Sequence, residues 1–308
     1  MAIAAASRSL VAYSAAQPFG GSFAEPSYQL MRRSSGGLRT KKTADKVGGV
    51  LRRGPVAVVQ TAQDVAGSYA FELSGGWIDD LLAAALCGQW VGNELCDGSI
   101  ETALTFAEIS AAGASAYVQR AYSGCRVAGL EMDFAARAVG RGVVDVVGAR
   151  EEVGSVWEVP FSPSSVTPAT ALWTTPTMTA IALLDLAPTP PIRRLALAVR
   201  HDVTMGHGVM SIHRQPRGVG GATVNGVIEA YFSSATLYQS MLDHGAGPIS
   251  FAIGPAGSRY VFAIPKAQLG DGSLVSGGKD DDLIATIPFE AVSGPYGEQL
   301  LTIRRNAP

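Results

Sequence analysis

Residues Gly67–Trp90 read GSYAFELSGGWIDDLLAAALCGQW, a stretch in which a strand pattern passes directly into a helix pattern. Within it, Ser68–Leu73 alternates small or polar residues with apolar ones, which predicts a strand with one buried face. In residues 76–87 apolar side chains recur every three or four positions, which predicts a short amphipathic helix. We expect Ser74 to cap the start of this helix and Gly88 to end it. The apolar stripe that should pack against the strands contains Trp77, Ile78, Leu81 and Leu82.

The same order of patterns returns in the second half of the chain. Aligning Gly67 with Gly226 brings two helical stripes into register after a single one-residue gap. Residues Gly226–Ser233 read GVIEAYFS, and the stripe that follows contains Leu237, Tyr238, Met241 and Leu242. Ser233 or Ser234 is the expected cap of the second helix, and Gly245 is its expected end. These matches predict an internal duplication.

Strand patterns rich in Val, Tyr and Phe surround both stretches at hairpin distances, which predicts a mainly β protein. Residues 154–191 differ, because many prolines lie there among Ser, Thr and Ala, as in a linker or an extended arm. We therefore predict a first domain at 1–153, a linker or arm at 154–192 and a second domain at 193–308. The further predicted strands are Pro55–Thr61, Thr102–Glu108, Ala116–Tyr122, Arg126–Phe134, Gly142–Val147, Arg193–Arg200, Val209–Arg214, Thr223–Phe232, Ile249–Ile253, Arg259–Ile264 and Leu283–Phe289.

The composition excludes two classes of protein. The 308 residues carry a net charge of −2 and only 16% of them are charged, so the basic signature of a nucleic-acid-binding protein is missing. The longest uninterrupted apolar run, Leu81–Cys87, is far shorter than the roughly 18 residues that a membrane helix needs. Sparse charge and abundant small residues are typical of a protein that covers much of its surface in a larger assembly.

The sequence offers no convincing catalytic, cofactor or metal site. His201, His207 and His213 share one strand parity, but six residues of strand span roughly 20 Å, too far for one metal ion. The glycine-rich stretch at 272–279 departs from a phosphate-binding loop, because Asp280 follows its Gly-Lys instead of Ser or Thr. We therefore expect a protein that is not an enzyme and that needs no cofactor.

The strongest charge cluster is basic and precedes the Gly67 stretch. No aromatic residue is interleaved with it, which disfavours binding to single-stranded nucleic acid. Two interpretations stay open, a solvated loop or a loop that contacts an acidic surface on a partner or on a second copy. The cluster consists of Arg39, Lys41, Lys42, Lys46, Arg52 and Arg53.

Three stretches, taken in order, resemble the major tail tube protein of bacteriophages with long, non-contractile tails. They are the strand and helix of Gly67–Trp90, residues 104–148 with YSGCRV at 122–127, and residues 195–292. The resemblance implies a small β-sandwich with one flanking helix in each domain. It also implies copies that close edge to edge into a ring lined by a continuous β-barrel. Stacked rings would form a hollow tube through which double-stranded DNA passes, without specific binding, during ejection.

The resemblance implies partners as well. These are further copies of the chain and the tail tip or baseplate, tape measure and tail terminator proteins, in a virion tail assembled in the host cytoplasm. If both halves are tube domains, three chains would supply six domains, so we favour a trimeric, pseudo-sixfold ring over a hexamer. The basic cluster would then contact the neighbouring ring. The alternatives are a tube protein of another injection or secretion system, or a β-sandwich binding module.

Overall fold

The computed structural model describes residues 9–15, 29–48, 54–112, 116–154, 171–186, 189–233, 235–276, 282–294 and 298–307. These residues form seventeen strands and two α-helices, which confirms the mainly β prediction. The first half contains β1 (Ser9–Ala15), β2 (Gln29–Met31), β3 (Arg33–Gly48), β4 (Pro55–Glu72), α1 (Asp79–Ala85), β5 (Glu94–Cys96), β6 (Leu104–Ala112), β7 (Ala116–Ala135), β8 (Arg141–Gly148) and β9 (Arg150–Gly154). The second half contains β10 (Thr179–Leu183), β11 (Ile192–His207), β12 (Arg214–Tyr231), α2 (Ala235–Leu242), β13 (Ala246–Ile253), β14 (Arg259–Leu269), β15 (Ser273–Ser276), β16 (Leu283–Ala291) and β17 (Thr302–Ala307).

Strand pairing follows the same scheme in both halves. In the first half β1 pairs with β6, β6 with β7, β7 with β8 and β9, β8 with β4, and β4 with β3. In the second half β10 pairs with β13, β13 with β14, β14 with β16 and β17, β16 with β12, and β12 with β11. Each helix follows the corresponding strand, α1 after β4 and α2 after β12.

A long ladder between β7 and β11 joins the two halves into a single sheet, and a shorter one between β5 and β17 also links them. Residues Gly129–Ala135 of β7 pair with Arg194–Arg200 of β11, so the strand order runs β3–β4–β8–β7–β11–β12–β16. Both β14 and β15 then pair with β16, one after the other along its length. The sheet curls into a half-barrel. We call this β7–β11 contact the internal junction.

Gly67 and Gly226, the residues that align the two halves in sequence, occupy matching positions in the sheet. Gly67 lies opposite Leu38 of β3, and Gly226 lies opposite Leu197 of β11. A Cβ on Gly67 would lie 2.3 Å from the carbonyl oxygen of the β3 strand, and one on Gly226 would lie 2.2 Å from that of β11. Glycine is required at both positions because the neighbouring backbone fills the space of a side chain.

The ends of the two helices also match. Cys87 and His244 adopt left-handed conformations with φ of 46° and 52°. The following Gly88 and Gly245 donate their N–H groups to carbonyl oxygens five residues earlier, at 3.0 Å and 2.7 Å. Both glycines therefore close their helices through these backbone bonds, while the residue before each takes the left-handed turn.

The start of α1 differs from the prediction. The helix begins at Asp79 and its N-cap residue is Ile78, so the expected cap by Ser74 is wrong. Ser74 instead accepts a hydrogen bond from the indole of Trp77 at 2.7 Å. The second half supplies the missing contacts, because Tyr260 accepts from Gly76 N–H at 2.9 Å and donates to the Asp79 carboxylate at 2.6 Å.

Two segments between the strands also depart from expectation. Val209–Arg214 is the turn of a long hairpin, and β12 begins at Arg214, so the strand predicted there is wrong. Part of the predicted linker is folded, since Trp173 is fully buried with its ring centroid 4.8 Å from that of Tyr260, and β10 pairs with β13. The division into domains stays a prediction. Within the described residues, neither helix is long and apolar enough to cross a bilayer.

Candidate functional site

The curled sheet carries an open groove of about 790 Å³. Its walls come from β7, β8, β11, β12, β14 and β16, so both halves contribute. Along β8 the groove-side positions are partly exposed and the opposite ones are buried, as in a strand with one face against a core. Small residues such as Ala196 and Ala198 leave the middle of the groove open.

Ion pairs cross the internal junction on the groove side. The Arg194 guanidinium donates to Asp133 at 2.6 Å and to Glu229 at 3.2 Å, which raises its pKa above the usual value. Arg200 forms an ion pair with Glu131 in the same ladder. Each arginine of the junction therefore already has a carboxylate partner within the chain.

The lining of the groove balances three carboxylates, Glu131, Asp133 and Glu290, against three arginines, and the surrounding face of the sheet adds further carboxylates. Asp145 lies there beside Glu131, and partial burial, followed by the Glu131 charge, raises the pKa of its carboxyl group against the opposing effect of Arg200. The groove side at the level of Gly129–Ala135 carries six carboxylates, Glu72, Glu131, Asp133, Asp145, Glu229 and Glu290, and three cations, Arg141, Arg194 and Arg200. The surface suits a role in which a polyanion is not retained.

The groove does not assemble a metal site from the described side chains. Of the three histidines considered above, His201 is buried with its ring against the carbonyl of Ala85, while His207 is exposed. The cysteines in this part of the structure are free thiols. The arrangement therefore offers a shaped, charged surface instead of a reactive centre.

The basic cluster lies on the β3–β4 hairpin. This hairpin continues to Gly48 and Pro55, well past the end of the β4–β8 ladder at Val65. The side chains of Arg39, Lys41, Lys42 and Lys46 are all exposed on β3, and Arg52 and Arg53 lie outside the described residues. The hairpin also exposes apolar residues, with Val58 63% exposed.

A second protruding hairpin, formed by β11 and β12, leans against the first. Gln63 N–H donates to the Ile212 carbonyl at 2.7 Å, and Arg214 donates to Asp64 at 2.8 Å. Its tip presents Val209 and Met210, which are fully exposed. Sequence reasoning missed this surface because it assigned both residues to a strand; the flanking Gly206 and Gly208 were the available sign of a turn.

The predicted helix-packing residues lie as follows. Trp77, Ile78, Leu81 and Leu82 are buried, and Trp77 meets Phe71 edge-on at 5.1 Å. On α2, Leu237 and Met241 are buried, Tyr238 is half-buried and Leu242 is 59% exposed. The stripe of α1 is therefore covered completely, and that of α2 only in part.

Comparison with known proteins agrees with this architecture. No sequence among the curated proteins matches the chain. A family described as phage tail tube protein matches residues 17–291, which include nearly all the strands and both helices. The family is structural, its members belong to the virion tail, and a match of this extent leads to one conclusion: the chain belongs to the phage tail tube protein family.

Proposed function

We propose that three copies of this chain close into a pseudo-sixfold ring, and that such rings stack into the hollow tube of a long, non-contractile tail. In this arrangement the groove lines the lumen through which double-stranded DNA passes during ejection. The observation that carries the proposal is the repeated pairing scheme, in which the ladders β1–β6, β6–β7, β7–β8, β7–β9, β8–β4 and β4–β3 each have a counterpart in the second half. Two matching halves per chain give six equivalent sectors from three chains.

The repeat extends to an irregularity in the ladders. The β7–β8 ladder contains one extra residue between Val127 and Gly129. The β14–β15 edge contains one extra residue relative to β16 between Leu269 and Ser273. Both halves therefore carry one extra residue on the strand edge that pairs with β8 or β16, which supports descent of both halves from one tube domain.

The charge of the groove supports its assignment to the lumen. Each phosphate contact retained by a cation slows the movement of DNA and adds salt-dependent affinity. In the groove the junction arginines Arg194 and Arg200 are paired with carboxylates, and the surrounding face of the sheet carries more carboxylates than cations. A wall of this kind holds DNA weakly and still remains hydrated.

The basic hairpin would contact the neighbouring ring. Lys42 and Lys46 lie beyond the sheet that forms the groove wall, together with exposed valines. Reversing both charges, Lys42→Glu with Lys46→Glu, should leave rings intact and shorten tubes. Lys266→Glu, at an exposed position on β14, is the matched control, and tubes of normal length in the double variant would reject this contact.

The remaining partners follow from a place in the tail. The tube subunit would meet the tail tip or baseplate, the tape measure protein and the tail terminator, and assembly would take place in the host cytoplasm. A tube protein of another injection or secretion system would share the ring, and a β-sandwich binding module would not.

The decisive experiment is electron microscopy of the purified chain together with its mass in solution. Rings with a central hole and a mass near three times 31.9 kDa are the expected result. A mass near six times this value would replace the trimer with a hexamer. A monomer that also fails to polymerise on a tail-tip complex would contradict the tube itself.

A further inference from the structure

The internal junction is a template for the contact between copies. In it, β7 and β11 pair antiparallel, with Met132 opposite Leu197 and Glu131 opposite Ala198. The first strand of one half thus pairs with the last strand of the other half. The outer strands of the whole chain are β3, which corresponds to β11, and β14–β15, which corresponds to β7. Among the described strands, β3 pairs with β4 alone and β15 with β16 alone.

The ladders identify the matching residues on β3. Gly67 faces Leu38 as Gly226 faces Leu197, so Leu38 corresponds to Leu197 and Arg39 to Ala198. Arg39 is exposed, and the side chain of Leu38 is buried. The edge of β3 therefore presents the sequence positions that the second half uses in the internal junction.

The same argument identifies the residues on β15. Met132 faces Gly142 of β8, which faces Phe71 of β4. In the second half, Leu274 faces Ala285 of β16, which faces Ala230 of β12. Leu274 therefore corresponds to Met132, and Ser273 corresponds to Glu131.

Resting on the proposed function, we infer that β15 of one copy pairs antiparallel with β3 of the next, with Leu274 opposite Leu38 and Ser273 opposite Arg39. Two further features agree with this register. Asp271 precedes Ser273 by two residues, and the pairing carries it opposite the cation Lys41. Val275, which is 54% exposed in the single chain, becomes covered by β3. Arg39 and Lys41 then serve ring closure, and Lys42 and Lys46 remain on the protruding hairpin.

In the single chain, side chains of the chain itself bind the backbone groups at the β3 edge. Leu38 N–H donates to the Glu108 carboxylate at 3.1 Å, and the Tyr122 hydroxyl donates to the Leu38 carbonyl at 3.1 Å. Glu108 is buried and also accepts from Tyr69 at 2.7 Å and from Arg120. The corresponding residue of the second half, Leu197, has strand β7 beside it instead of such side chains. Glu108 and Tyr122 therefore guard the edge against untimely pairing, and the incoming β15 displaces them.

A disulfide tests the register. Because the backbone groups of Leu38 point away from β4, Arg39 and Ser273 form the closer, non-hydrogen-bonded type of pair, with Cβ atoms about 4.5–5.5 Å apart. Both side chains are exposed, so Arg39→Cys with Ser273→Cys should fold. Oxidation of assembled tubes should link most chains into a ladder of covalent oligomers. Arg39→Cys with Val275→Cys, shifted by two residues to about 7–8 Å, should link few chains.

The outcomes separate this inference from the proposed function. Rings in the wild type with linkage in the Ser273 variant alone support the register. Rings without linkage, or with linkage in the shifted variant, overturn the register and leave the tube standing. The absence of rings overturns both. If the double variant fails to assemble, mixing chains that carry Arg39→Cys with chains that carry Ser273→Cys gives the same readout between copies.

The role of Glu108 and Tyr122 in protecting the β3 edge has a separate test. Tyr122→Phe removes one hydrogen bond from Leu38, so the lag before tube formation should shorten roughly two- to tenfold. Tyr238→Phe on α2, away from this edge, is the control and should leave the lag unchanged. An unchanged or longer lag for Tyr122→Phe would overturn the guarding role.

Discussion

The two halves share their strand pairing but differ in the side chains that lie beside β3 in the first half and beside β11 in the second. In the first half a buried carboxylate, Glu108, is surrounded by Tyr69, Arg120 and the backbone of Leu38. In the second half, Ile228 stands at the position of Tyr69 and Phe251 at that of Glu108, and Phe251 stacks on Phe262 at 4.9 Å.

This difference follows from where each half ends. In the second half β11 is covered by β7, so its backbone groups have strand partners and the neighbouring side chains are apolar. In the first half β3 is an outer strand, and buried backbone groups without partners cost free energy. Polar side chains are therefore present where the strand partner is missing. The two halves therefore differ where their neighbours differ.

The largest expected effect comes from the apolar centre. Phe251→Ala removes a ring that packs on both Phe262 and Phe134, and should lower the free energy of unfolding by about 3–5 kcal/mol. Chemical denaturation of the purified chain measures it. Leu242→Ala, at a site that is 59% exposed, is the control and should change stability little. Equal effects of the two variants would contradict a core centred on Phe251.

The polar centre should be nearly as sensitive, for a different reason. Glu108→Ala leaves Leu38 N–H and the Tyr69 hydroxyl buried without an acceptor, which should cost about 3 kcal/mol. Glu108→Gln retains an acceptor oxygen and should cost less. Glu290→Ala, on an exposed carboxylate, controls for the loss of charge. A harmless Glu108→Ala would mean that the polar cluster adds nothing to the first half.

The paired glycines test how closely the halves match. Gly67→Ala and Gly226→Ala should each destabilise by about 1–3 kcal/mol, because the new methyl group collides with the opposing strand. Gly226→Ala should be the more severe, since its Cβ would also meet the Phe289 ring at 2.4 Å. At Gly221 a Cβ meets nothing within 4 Å, so Gly221→Ala is the control for strand position. Thermal unfolding of the three variants decides the order.

The smallest effect concerns Asp145, whose counterpart in the second half is Pro288. The pKa of Asp145 is raised in the folded chain, so the folded state binds this proton more tightly than the unfolded state does. Its ionisation therefore costs stability as the pH rises through the folded pKa, and the cost is absent below the unfolded value near 3.8. Asp145→Asn should raise the midpoint of denaturation slightly at pH 7. Titrating both proteins toward pH 3.5 should bring the two midpoints together, and a gap that widens on acidification would contradict the assignment.

Much of the first half's architecture was predictable from local pattern. Alternation over Ser68–Leu73 and the stripe from Trp77 to Leu82 identified β4 and the buried face of α1. The Gly67 and Gly226 alignment located two positions that match in the sheet. The turn at Val209–Met210 was missed because a short apolar run resembles a strand, although Gly206 and Gly208 before it are a local sign of a turn.

The groove was also hidden from sequence reasoning. Its carboxylates come from β4, β7, β8, β12 and β16, and each looks like an ordinary outward-facing residue of its own strand. They share one face only because the ladders place these strands side by side. The basic cluster, in contrast, was visible because its members are close together along the chain.

The sequence by itself determined the class of fold, the two helices and the matching positions of Gly67 and Gly226, because periodicity and glycine requirements act over a few residues. Only the tertiary structure decided how α1 begins and which sheet edges are covered. Tyr260 and Asp79 organise the start of α1 from opposite halves, and Glu108 and Tyr122 reach across to the backbone of Leu38. Such contacts join residues far apart in the chain, and the free energy of leaving a buried polar group unpaired, which selects them, arises only when the sheets have packed.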